Sequence, residues 1–65
     1  MNAVEKSNSK LQLMETGMRL FRSKGFQNVT ILEICKAAGV TRNAFYYHFT
    51  DKEDLLCTYF SDAIP

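Results

Sequence analysis

The sequence predicts an all-α protein, a small helical bundle with room for one domain in its 65 residues. Three observations carry that expectation. Apolar residues recur at intervals of three and four along most of the chain. Ser9-x-x-Gln12, Thr30-x-x-Glu33 and Thr50-x-x-Glu53 each have the form of a capping box, in which two side chains satisfy each other's orphan backbone N–H groups. Gly25 and Gly39 stand where the apolar rhythm breaks, as helix-ending glycines do.

The first eight residues are mostly polar and are expected to be a flexible N-terminus, with the folded domain running over 9–65. The first helix is predicted from Ser9 to about Lys24. Leu11, Met14, Met18 and Phe21 fall on one face, widened by Leu13 and Leu20. Arg19, Arg22 and Lys24 place positive charge toward the end of the helix, where its dipole favours cations. Gly25 should end it in a left-handed conformation. A second, short helix opens at Thr30 with an apolar stripe of Ile31, Ile34, Cys35 and Ala38, and Gly39 closes it. Thr41 can cap a third helix reaching about His48, with Phe45 on one side and Asn43, Ala44 and Tyr47 on the other. The fourth opens at Thr50, with Leu55, Leu56, Tyr59, Phe60 and Ala63 as its apolar face.

Bulk properties narrow the class without naming a partner. Net charge is only +1, whereas a dedicated nucleic-acid domain often has a pI above about 9. The distribution says more: from Lys36 to Lys52 the cations Lys36, Arg42 and Lys52, with His48, face only Asp51, while the following segment carries three acids and no base. No apolar run approaches the roughly 18–20 residues of a membrane span, and the N-terminus lacks the layout of a secretory signal. Cys35 and Cys57 are too few for a disulfide framework. A cytoplasmic protein with reduced thiols and no membrane partner is expected.

The centre of the chain has what a helix-turn-helix requires. Cys35 and Ala38 are small enough for a close helix crossing, Gly39 can take positive φ at the turn, and Ile34, Val40 and Phe45 can lock the angle. Thr30-x-x-x-Ile34-Cys35-x-x-Ala38-Gly39-Val40-Thr41-x-x-x-Phe45-Tyr46-Tyr47-His48-Phe49-x-x-Lys52-Glu53-x-Leu55-Leu56, preceded by Leu20-Phe21-x-x-Lys24-Gly25-Phe26, closely resembles the N-terminal DNA-binding domain of the TetR family of bacterial transcriptional regulators. The likeness runs from about Leu13 to Leu56. Three departures stand out. Thr16-Gly17 replaces a frequent pair of alanines, and Gly17 should cost about 1 kcal/mol of helix stability. Cys35 replaces an alanine, and Arg42-Asn43 replaces a frequent Lys-Gly, which leaves base preference open.

The resemblance implies a homeodomain-like three-helix unit plus the start of a fourth helix, with the third helix in the major groove of double-stranded DNA. It also implies a sequence-specific regulator, most often a repressor, that reads a palindromic operator as a homodimer. Dimerisation and a small-molecule inducer would belong to a C-terminal domain absent from this chain. Arg42, Asn43 and Ala44 are then the candidate base readers: arginine suits guanine O6/N7, asparagine suits adenine N6/N7, and an alanine methyl can touch thymine. Thr30 and Thr41 are caps whose hydroxyls can also face phosphates. Tyr46 and Tyr47 cannot both face the core, being adjacent on a helix. Tyr46 is expected partly beneath the fourth helix, and Tyr47 outward, toward phosphate or sugar. His48 follows on the same side. Lys52, expected at the second position of the fourth helix, opposes its own helix dipole, a placement that makes sense beside a phosphate.

No cofactor or metal is expected: Cys35 belongs to helix packing, and there is no second histidine to join His48. Nothing orients a catalytic base or supplies an oxyanion site, so the protein is not expected to be an enzyme. Two alternatives remain open at this level. One is a module docking a protein partner through Tyr46, Tyr47 and Tyr59; the other is a helix-turn-helix without sequence preference.

Overall fold

The computed structural model describes the backbone of residues 2–63 and the side chains of residues 9–61. Four helices follow one another: α1 (Asn2–Lys24), α2 (Ile31–Ala38), α3 (Arg42–His48) and α4 (Lys52–Ala63). A 3-10 turn, Phe26–Asn28, links the first two. The described residues contain no strand, so the architecture is all-α as expected.

α1 is the scaffold. It contributes Leu13, Met14, Met18 and Phe21 to the core and touches α2, α3 and α4 in turn. Around it close Val29, Ile34, Cys35, Phe45, Phe49 and Leu55. Leu13, Ile34, Phe45 and Leu55 are fully buried, at 0% exposure. Burying each large apolar side chain contributes about 1.5–3 kcal/mol. Gly17 has a packing role that periodicity could not show. A Cβ there would lie 3.1 and 3.2 Å from the two Leu55 methyls, so the missing side chain lets α4 approach α1 closely.

Several local expectations need correction. α1 begins at Asn2, so Ser9 is an interior residue of the helix and not its cap. Polar composition is compatible with helix, and the Ser9–Gln12 pattern coincided with a cap without being one. Leu11 is 49% exposed, because the core-facing stripe is centred on Leu13, Met14 and Met18, and Leu11 lies to one side of it. Phe60 is likewise 49% exposed, while Leu56 and Tyr59 pack partly against the core. The Ala63 side chain lies outside the described residues.

Gly25 does have positive φ, but at φ 91°, ψ 137° it is not left-handed helical. The chain there passes directly from α1 into the 3-10 turn, and the Gly25 N–H closes on the Phe21 carbonyl at 2.9 Å. Gly39 behaves as the sequence predicts, at φ 73°, ψ 32°. Its N–H and that of Val40 return to the carbonyls of Lys36 and Cys35 at 3.3 and 3.0 Å, the double closure of a Schellman motif.

Candidate nucleic-acid interface

Three short stretches of local chemistry aim the candidate site. At the start of α2 the capping box forms as predicted: the Glu33 N–H donates to the Thr30 hydroxyl at 3.1 Å, and the Thr30 N–H reaches the Glu33 carboxylate at 3.5 Å. Glu33 also pairs with Lys24, and that hydrogen bond holds its carboxyl below the usual carboxylate range. At the start of α3 the Ala44 N–H donates to the Thr41 hydroxyl at 3.1 Å. Between these caps the Gly39 turn sets the direction in which α3 leaves α2.

α3 buries a single side chain, Phe45. Everything flanking it on the helix faces outward or half outward. Thr41, Arg42 and Asn43 are exposed, and Ala44 and His48 are half-buried. Tyr47 is 76% exposed and Tyr46 51%. Tyr46 is therefore barer than the sequence suggested; its ring leans edge-on against Phe45 at 5.4 Å, which leaves half of it in solvent. Arg42 takes the first position of α3, and no acid accompanies it in that turn. A cation there opposes the helix dipole, which makes the surface receptive to an anion.

α1 also lines this face. A recess of about 300 Å³ is bounded by Ser9, Ala44, Tyr47 and His48. Tyr47 and His48 stack edge to face across 5.0 Å. Partial burial, and then the positive charge of Lys10, push the His48 imidazole below its ordinary value. His48 is consequently a neutral hydrogen-bonding group at pH 7, and Lys10 supplies the fixed charge. The sequence reading missed Ser9 and Lys10. The available signal was periodicity: Lys10 sits one turn before Leu13 and Met14 and continues the inward-facing stripe of α1.

Lys52 is placed differently from expectation. The cap of α4 is Asp51, whose carboxylate accepts the Asp54 N–H at 2.8 Å, while Asp54 reaches back to the Thr50 N–H at 2.9 Å. The cap is shifted by one residue, Thr50 is not the cap, and Lys52 is the first residue of α4. Its ammonium donates to the carbonyls of Phe26 and Val29 at 2.7 and 2.8 Å and lies 4.5 Å from the centre of the Phe26 ring. These carbonyls answer the electrostatic puzzle that had suggested a phosphate.

Among the described residues no group of three or more His, Cys, Asp or Glu side chains could hold a metal ion, and no helix is long and apolar enough to cross a membrane. Cys35 is buried and Cys57 exposed.

A short, capped, outward-facing helix held at a glycine turn against a second helix defines a helix-turn-helix DNA-binding unit of the kind found in transcriptional regulators. Residues 13–57 match the family described as bacterial regulatory proteins, tetR family. The chain belongs to that family. It is 43% identical over 51 residues to the HTH-type transcriptional regulator AcrR of Shigella flexneri, covering 78% of this chain and 24% of that protein. It is 44% identical over 54 residues to the uncharacterized HTH-type transcriptional regulator YerO of Bacillus subtilis, covering 78% and 19%. It is 35% identical over 49 residues to the HTH-type transcriptional repressor AcnR of Corynebacterium glutamicum, covering 75% and 26%. The chain thus spans about a quarter or less of the length of these relatives. No solved structure matches it at the significance these relatives reach.

Proposed function

We infer that the protein is a ligand-responsive repressor that reads a palindromic operator as a homodimer, with α3 as its recognition helix. One observation carries this reading. The outward surface of α3 gathers Arg42, Asn43 and Tyr47, two base-reading residue types and a bare aromatic, on a helix anchored from behind by Phe45 alone. Arg42, Asn43 and Ala44 specify sequence by contacts in the major groove. Thr30, Thr41, Tyr46, Tyr47 and His48 position the helix on phosphates and sugars. Lys52 is left out of that set.

In this reading a C-terminal domain, which binds a small-molecule inducer and forms the dimer, follows the helices. Two-fold symmetry then places two α3 helices roughly 34–36 Å apart, one turn of duplex. Repression is favoured by the repressor named among the relatives. The regulatory family and the shape of the site support a binding role over an enzymatic one.

Selection of bound sites from random duplexes by the intact protein tests the reading. The expected product is an inverted repeat whose half-sites are one helical turn apart. Binding to the phosphate backbone should weaken as salt concentration rises. Recovery of unrelated sequences would leave a helix-turn-helix without sequence preference. A flat salt dependence would favour protein docking through Tyr46, Tyr47 and Tyr59.

A further inference from the structure

We propose that Lys52 is a positioning residue for the DNA face, clamping the α1–α2 connection so that Thr30 is correctly aimed, and not a ligand of phosphate. The inference rests on the reading above, in which Thr30 meets the DNA backbone. It begins from one peptide unit, the bond between Val29 and Thr30. Its carbonyl accepts from the Lys52 ammonium at 2.8 Å, and its N–H reaches the Glu33 carboxylate at 3.5 Å. A cation at one end and an anion at the other fix the plane of the peptide that leads into α2, and each polarises it in the sense that strengthens the other contact.

The neighbouring geometry extends the clamp. Lys52 also holds the Phe26 carbonyl at 2.7 Å and lies over the Phe26 ring, which stacks edge-on against Phe21 of α1 at 4.8 Å. On the other side of the connection, Asn28 donates to the Lys24 carbonyl at 2.8 Å, and Lys24 pairs with Glu33. Val29 is buried. The segment from Gly25 to Thr30 is therefore gripped by α1, α2 and α4 together, and Lys52 is the contact α4 supplies. Two of its three ammonium donors are engaged inside the protein, which leaves little with which to bind a phosphate.

Two measurements on the intact protein test this. The first is the salt dependence of operator binding for Lys52→Met, which keeps the apolar stem and removes the donors. A phosphate ligand would take about 0.9 per protomer, about 1.8 for the bound dimer, from the magnitude of the log–log slope. The clamp predicts an unchanged slope, a loss of affinity no larger than that of Thr30→Ala, and no further loss when the two changes are combined. A slope reduced by about 1.8, or two fully additive losses, would overturn the proposal.

The second needs no variant. Reductive methylation of the free protein should modify Lys52 far more slowly than the exposed Lys36, and adding operator should change the Lys52 rate little. Rapid modification that operator DNA suppresses would mark a phosphate ligand. If the unmodified protein binds no duplex at all, the DNA reading fails; slow methylation of Lys52 would still report the clamp itself.

Discussion

Replacing Gly39 and Gly25 with alanine, one at a time, separates two kinds of glycine that the sequence displays identically. At Gly39 a new Cβ meets nothing within 4 Å, so the whole effect is conformational. Holding an L-residue in the left-handed helical region costs about 1–2 kcal/mol, offset by roughly 0.4–1 kcal/mol because alanine leaves the unfolded chain less freedom. The expected net loss is about 1 kcal/mol. For a domain of this size that lowers the melting temperature by roughly 4–8 °C. Asparagine tolerates this region, so Gly39→Asn should recover most of the loss. Gly25, at φ 91° and ψ 137°, lies near a region that is essentially glycine's alone, where strain is about 1–3 kcal/mol. A Cβ there also comes within 3.3 Å of the Asn28 amide nitrogen that binds the Lys24 carbonyl, adding about 1 kcal/mol. Gly25→Ala should therefore lose about 2–3 kcal/mol, and asparagine should not rescue it. Urea and thermal unfolding followed by far-ultraviolet circular dichroism measure both. A Gly39→Ala protein as stable as the parent, or an asparagine rescue at position 25 equal to that at 39, would refute the turn geometry on which the direction of α3 depends.

Other outcomes follow from the site. Arg42→Ala should cost about 1–3 kcal/mol of operator binding and relax preference at one base position, whereas Tyr47→Ala should weaken all duplexes alike; binding titrations on single-base operator variants tell them apart. His48 has a folded pKa below its unfolded value of about 6.5. The unfolded chain therefore takes up the proton first, and stability present above that value is lost as pH falls through the folded pKa. His48→Gln should flatten the stability curve in that window, and an unchanged acid-side slope would contradict the assignment. Alkylation should label Cys57 rapidly and Cys35 only as the protein opens, since burial both shields the Cys35 thiol and raises its pKa against the opposing effect of Arg42; mass spectrometry of partly labelled protein showing equal rates would exclude a buried Cys35.

What could be read from the chain in advance was whatever a few neighbouring residues decide among themselves. The Thr30–Glu33 box, the Thr41 cap, the Gly39 stop and the inward Phe45 are of this kind, and together they are enough to outline the outward surface of α3. Errors arose where two local solutions compete or a distant partner intervenes. Thr50 and Asp51 are both good caps one residue apart, and Asp54 at the third position favours Asp51. Ser9 has a cap's sequence context, but the helix runs on before it. Lys52 acts on carbonyls more than 20 residues away. Gly17 reads as a weakness in a helix until Leu55 is seen against it. Lys10 and Ser9 join the candidate site only because α1 crosses beside α3.

The brevity of α3 has a consequence for genetics. Seven residues are well short of the roughly 12–15 at which a lone helix holds together in water, and Phe45 is its single deep anchor. α3 therefore exists only while the rest of the fold exists, with no half-formed version left behind. A screen for loss of operator binding should return Leu13, Ile34 and Phe45 as readily as Arg42. Only a measurement of folding will tell the two groups of mutants apart.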